Sequence, residues 1–304
     1  AVIGFDNMVI GKHSVSPYGR QVINTEPTIY WTLDEPAGST VAMDYSANGV
    51  PYDGKYVGNY TQENPGPRPS DGLLGMDSGN LAAGGVSKKD SGDPGAVQYT
   101  SLNTTAGIGT GEYSMQMWFK STIDAWTDCR LQYLITRSNG SSFGSARDYV
   151  TIGGNTGTVG VGNESTGKLR FSNGGAGVSG DSVLQPNEWY HLTIVRDDGA
   201  EAGEAKAKVY LNGELEIESF DPWLSPGDGN YLTVGHRPDF HVHNSGGLGF
   251  HGLFDKVVIW DRALSPSEVW ANYASAVPEP STCLLLALAG VCLLPLGRRR
   301  SRAI

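Results

Sequence analysis

Cysteine is scarce in this 304-residue chain. Three are present, and two of them, Cys283 and Cys292, lie in the final apolar stretch, which leaves Cys129 alone in the rest. No intrachain disulfide can form among residues 1–276, so packing must hold that part together. Basic side chains are also few: 22 Lys and Arg stand against 32 Asp and Glu, and four of the arginines fall after Gly297. Residues 1–276 therefore hold 18 basic against 31 acidic side chains, a balance that argues against nucleic acid and anionic lipid as partners. Long helical patterns are few. Glycine is plentiful, at 42 residues, and the chain breaks into short alternating segments between turn residues, which points to all-β structure. A β-sandwich of about 200–250 residues commonly forms one domain, so 276 residues suffice for one core.

The longest apolar run is Cys283 to Leu296. Its 14 residues would span ~21 Å as a helix at ~1.5 Å per residue, short of a hydrocarbon core of about 30 Å. Pro278, Glu279 and Pro280 precede it, and Arg298, Arg299, Arg300 and Arg302 follow. Basic residues just beyond an apolar run stay cytoplasmic, which would place everything before Val277 across the membrane. Motif, order and terminal position resemble the PEP-CTERM sorting tail of Gram-negative bacteria. The resemblance implies an exosortase-type membrane transpeptidase as partner and transient insertion in the inner membrane. Release to the cell surface or extracellular matrix would follow. The chain opens at Ala1 with no basic-then-apolar leader, and residues 1–24 are read as the segment left after a removed or missing signal peptide.

Between these ends, GEYSMQMWFKS alternates Tyr113, Met115, Met117 and Phe119 against Ser114, Gln116, Trp118 and Lys120, the pattern of a half-buried strand with Trp118 on its other face. PNEWYHLTIVRD is followed by VYLNGE, in which Asn212-Gly213 is a strong hairpin signal. From Leu253 to Trp260 the residues alternate again, and Ser265-Pro266-Ser267-Glu268 reads as a capping box opening a short helix. Tyr60 to Gly95 keeps no period and reads as a long surface excursion with at most a short strand or turn.

With the opening Tyr30-Trp31, the Glu35 to Gly38 turn and Asp44-Tyr45-Ser46-Ala47-Asn48-Gly49, these segments resemble the laminin-G-like, concanavalin A-like jelly-roll family. The resemblance implies an antiparallel two-sheet jelly-roll sandwich over residues 25–275, with residues 276–304 as the sorting tail. It also implies a structural calcium, for which Asp44 and Asp255 are the matching ligands. Lys256 stands where a common member has a second acid.

Three other groups are candidates for chemistry. His236, His241, His243 and His251 cluster in sequence, and His241 and His243 would share a strand face as transition-metal ligands. Glu214, Glu216 and Glu218 recur at period 2, which would project all three from one sheet face; they read as a solvated strand face, not a catalytic pair. Trp126 and Trp223, in turn-rich sequence, are candidates for stacking on sugar rings. The reading is a non-catalytic surface or matrix protein that binds glycan, exopolysaccharide or a protein partner. A glycoside hydrolase and a metal-binding surface protein are the alternatives.

Overall fold

A computed structural model of the chain describes residues 16–47, 49–85, 96–99, 111–122, 132–138, 146–153, 167–172, 177–220, 231–236 and 249–277. Sixteen strands are present among them, and all their pairings are antiparallel. Sheet A runs from edge to edge through β14 (Glu214–Ser219), β13 (Ala207–Leu211), β12 (Tyr190–Asp197), β7 (Glu112–Ser121), β16 (Gly252–Trp260), β5 (Leu81–Gly85) and β4 (Tyr60–Pro65), with β1 (Ile29–Trp31) also paired to β16. Sheet B runs through β11 (Val178–Val183), β10 (Lys168–Ser172), β9 (Ala146–Ile152), β8 (Gln132–Ser138), β15 (Tyr231–Val234), β6 (Ala96–Tyr99), β3 (Gly54–Val57) and β2 (Val41–Ala42).

The core lies between the sheets. Met115, Met117, Phe119, Leu192, Ile194 and Val209 from sheet A meet Ile135, Val150, Ile152, Phe171, Leu232 and Val234 from sheet B. The sequence pattern dictates this: in β7 and β12 every second residue is apolar, and that set is the one turned inward.

Sheet A has a second apolar face. Tyr30, Trp118, Val258 and Trp260 point outward and are covered by helix α1 (Pro17–Asn24) and helix α2 (Pro266–Ala274) through Tyr18, Val22 and Val269. Trp118 thus serves a second layer, as its alternation suggests. Gln116 of β7 joins both helices, donating to the Tyr18 hydroxyl at 2.8 Å and accepting from Asn272 Nδ2 at 3.1 Å. Residues 17–24, within the N-terminal segment of the sequence reading, form α1 and pack as part of the sandwich. Ser16 caps α1, accepting from Gly19 N at 3.1 Å, and Pro17 opens the first turn.

Within the 60–95 stretch, residues 60–85 are more ordered than their composition implies. Strands β4 and β5 both belong to sheet A, and a 3-10 turn at Pro69–Asp71 lies between them. Ala82, Ala83, Gly84 and Gly85 carry no amphipathic signal because β5 is buried at nearly every position. The Asn212-Gly213 hairpin and the Ser265–Glu268 capping box form as the sequence indicates, with Asn212 and Gly213 both at positive φ. No helix among the described residues is long and apolar enough to cross a membrane, and the tail, including Pro278, Glu279, Pro280, Arg298, Arg299, Arg300 and Arg302, lies outside the described residues.

Candidate functional site

The two outer faces of the sandwich differ in chemistry. Sheet A's is apolar and closed by helices, whereas sheet B's is polar. In sheet B, Tyr56, Ile135, Val150, Phe171 and Val234 face the core, as does Leu134 at a bulge in β8, and Lys55, Thr136, Tyr149, Ser172 and Thr233 alternate with that set. The strand register aligns Lys55, Gln98, Thr233, Thr136, Tyr149 and Ser172 in one row across six strands. Five interstrand steps of ~4.8 Å make that row about 24 Å long. A second row sets Tyr133 opposite Thr151 and Thr151 opposite Arg170.

Among the described side chains of this face, Tyr149 is a half-buried aromatic whose ring lies 5.3 Å from that of the buried Tyr133. Arg170, half-buried, lies diagonally one step from Tyr149 on β10; Lys168, also half-buried, is two residues further along that strand, and Lys55 is exposed. Thr136 and Thr233 form the floor: both are buried, they oppose each other across β8 and β15, and neither hydroxyl has a hydrogen-bond partner. A buried hydroxyl without a partner costs free energy, and such groups in a native fold ask for an explanation. Sequence reasoning did not single out these residues, because their strands are separated by up to about 180 positions and adjoin only through the strand order.

Trp126, Trp223, His241 and His243 lie outside the described residues. In chain order Trp126 falls between β7 and β8, Trp223 between β14 and β15, and the two histidines between β15 and β16. Each of these connections begins or ends on sheet B. His236 is buried, and His251 donates its backbone N–H to Gln132 Oε1 at 3.0 Å. Among the described residues no three His, Cys, Asp or Glu side chains are arranged to hold a metal ion.

The two carboxylates expected to share calcium do not fit that role. Asp44 Oδ1 accepts from Tyr30 N and Ser46 N, and Oδ2 from Ser46 Oγ and Tyr52 N, all at 2.9 Å. Those donors use the four or so lone-pair sites that a carboxylate offers. Asp44 thereby ties the 44–52 loop to β1. Asp255 is fully buried, accepting from Asn80 Nδ2 at 2.6 Å and Lys256 N at 2.8 Å, with the Lys256 ammonium 4.0 Å away. Burial pushes its carboxyl up to about 7, partly offset by Lys256. Calcium needs about six to eight oxygens, and here a lysine supplies the positive charge instead. The alternation expected across Leu253 to Trp260 is also broken at this point. A bulge between Asp255 and Val258, with Lys256 at φ 49°, turns Phe254 and Val257 both into the core.

A second bulge corrects the glutamate pattern. Strand β14 pairs Leu215 with Tyr210 and Ile217 with Val209, leaving Glu216 without an opposite residue. Glu218 then lies opposite Lys208 and Glu214 opposite Leu211, so the three do not share a face. Glu216 instead reaches β11 of the other sheet, accepting from Ser182 N at 2.7 Å and Ser182 Oγ at 2.8 Å. A Cβ at Gly180 would collide with that carboxylate. Glu216 therefore clips two sheet edges together, and no paired-acid geometry for glycoside hydrolysis is assembled by these residues.

His191, on sheet A's outer face, is fully buried against Trp118 at 4.9 Å and Tyr273 at 5.8 Å, and burial holds its imidazole down at about 3. It is a neutral packing residue. A groove of about 260 Å³ on the same side lies between Tyr210, Lys206, Lys208 and the start of α2. Two of its charged groups are engaged: Lys206 donates to Asp198 O at 3.2 Å, and Glu268 caps the helix while pairing with Arg262 at 2.7 Å.

An antiparallel two-sheet sandwich with one closed and one polar outer face belongs to a widely used class of binding and hydrolytic scaffolds. The sequence matches the Laminin_G_3 family over residues 94–270, and the chain belongs to the concanavalin A-like lectin/glucanases superfamily. No curated protein matches it in sequence. Among solved structures, a Trypanosoma rangeli sialidase in complex with sialic acid superposes with a TM-score of 0.56 at 12% identity, covering 84% of this chain and 33% of the sialidase. The receptor binding domain of botulinum neurotoxin C/D mosaic serotype gives 0.50 at 13% identity, covering 83% of this chain and 51% of that one. Domain 4 of an extracellular arabinanase from Geobacillus stearothermophilus, in complex with arabinotriose, gives 0.46 at 16% identity over 82% of this chain and 98% of that domain. The chain thus spans about a third of the length of the sialidases it matches, and these likenesses concern the fold. The superfamily holds enzymes and binding modules alike, so activity has to be argued from the site.

Proposed function

We propose that this protein is a non-catalytic carbohydrate-binding module that uses the outer face of sheet B. The observation that carries the reading is the contrast between the two faces. Sheet A's outer surface is apolar and occupied by α1 and α2, while sheet B's carries a half-buried aromatic, Tyr149, the half-buried cations Lys168 and Arg170 and the exposed Lys55 around a row of buried hydroxyls. A polar, aromatic-bearing surface on a rigid sheet suits an extended glycan, whose rings offer apolar faces and whose hydroxyls need hydrogen bonds. Fold membership in a lectin and glucanase superfamily agrees with this reading. The displaced register of Glu214, Glu216 and Glu218 favours binding over hydrolysis.

The tail supports an exported location. Pro278-Glu279-Pro280, a 14-residue apolar run and the arginine cluster fit handling by an exosortase-type transpeptidase after transient inner-membrane insertion, with delivery to the cell surface or matrix. The test of function is a binding screen of the purified protein against immobilised polysaccharides, with Tyr149→Ala as the site variant. Binding that the variant loses supports the reading; binding that it retains in full sends the site elsewhere.

A further inference from the structure

Six adjoining strands of sheet B, namely β3, β6, β15, β8, β9 and β10, carry a single carboxylate between them, Asp148. That carboxylate is turned into the core, where it pairs with Arg196 of sheet A. The charges these strands direct outward include Lys55, Lys168 and Arg170. In a chain with ten more acidic than basic side chains, this distribution is the reverse of the average. Strand β14, at the edge of sheet A that Glu216 joins to β11, alone has three glutamates. Among the described residues, exposed acids bound this set of strands: Asp181 lies on the edge strand β11, and Asp53 immediately precedes β3, two positions from Lys55.

We infer that the ligand of this face is a polyanionic polysaccharide, one whose sugar rings carry carboxylate or sulfate groups; this rests on the binding-face reading above. Arg170 is opposite Thr151, and Tyr149 is opposite Ser172, so the guanidinium stem lies diagonally one step from the tyrosine. A ring stacked on Tyr149 places an acidic substituent within reach of Arg170, whose planar fork matches carboxylate and sulfate oxygens two at a time. Lys168 lies about 6–7 Å further along the same strand. Lys55 stands about 24 Å across the face, five strand spacings away. Charges spread over that distance engage a polymer, not a single sugar. The overall acidity of residues 1–276 repels other polyanions, and ionic screening beyond about 8–10 Å lets the local basic face act independently of it.

The experiment measures binding of the full-length protein, in detergent, to four immobilised polymers: polygalacturonate, dextran sulfate, dextran and laminarin. The inference predicts binding to one or both acidic polymers, weakened by about tenfold or more between ~0.05 and ~0.5 M salt. Which acidic polymer binds identifies the anionic group. Arg170→Gln and Lys168→Gln are expected to weaken that binding by about tenfold together while leaving the thermal midpoint unchanged. Lys208→Gln, on sheet A, is expected to leave it intact. Equal loss in Lys208→Gln would overturn the assignment to this face. Binding to dextran or laminarin without preference for the acidic polymers would overturn the inference and leave the binding-face reading standing; no binding to any of the four overturns both.

Discussion

Arg196 of β12 crosses the interior of the sandwich to Asp148 of β9, with Nη1 3.4 Å from Oδ1 and each side chain 2% exposed. The same guanidinium reaches Asp198 through Nε at 2.5 Å, and the Tyr113 hydroxyl donates to the other oxygen of Asp148. Arg137 stacks over the Tyr113 ring at 4.2 Å. One end of the core is thus a polar cluster that binds sheet A to sheet B. Burial pushes the Asp148 carboxyl up to about 6, with Arg196 opposing the shift.

Arg196→Met should destabilise the fold by about 3–5 kcal/mol, because it strands Asp148 in the interior without its cation. Urea unfolding of wild type and variant measures this. A loss under about 1 kcal/mol would show that Asp148 finds compensation elsewhere.

Asp255 gives a pH-dependent prediction. Its carboxyl titrates near 3.8 when unfolded and is raised to about 7 when folded, so the folded state holds the proton more tightly. The stability it contributes is complete below about pH 4 and is lost as pH rises through about 7. Asp255→Asn keeps the neutral form at every pH. The stability of wild type relative to that variant should therefore fall between those two pH values, and a flat difference would contradict the burial argument.

Calcium should not stabilise this protein. With Asp44 saturated by four donors and Lys256 beside Asp255, the thermal midpoint should be the same in excess calcium and in chelator. A binding ion present at about 100 times its dissociation constant would add roughly 2.7 kcal/mol, easily seen as a rise in midpoint.

Gly213 should resist substitution. It sits at φ 81°, and an added Cβ would come within 2.8 Å of Trp270 and 3.1 Å of Tyr273 on α2. Gly213→Ala should cost more than about 1 kcal/mol by combining backbone strain with displacement of the helix. A neutral outcome would mean that α2 is free to shift outward.

Much of the fold was legible because local and global signals agree there. Alternation in β7 and β12, the Asn212-Gly213 turn and the Ser265 capping box each specify one conformation within a few residues. The bulges at Glu216 and Lys256 were not legible. A single inserted residue reverses every side chain beyond it, and what fixes each bulge is a distant partner: Ser182 for Glu216, and Asn80, through Asp255, for the other. The face proposed to bind glycan was hidden for a related reason. Thr136 and Thr233 look like ordinary strand threonines until the strand order places β8 beside β15. Trp126, Trp223, His241 and His243 were visible in the sequence only as residue types in turn-rich segments.

The most direct test of the account is the affinity of the protein for an immobilised acidic polysaccharide, compared with that of Tyr149→Ala. The account predicts saturable binding to wild type and a loss of about tenfold or more in the variant, as expected when an aromatic anchor is removed from a contact face. Absence of binding, or equal binding by both proteins, would contradict the assignment of sheet B's outer face as the functional surface.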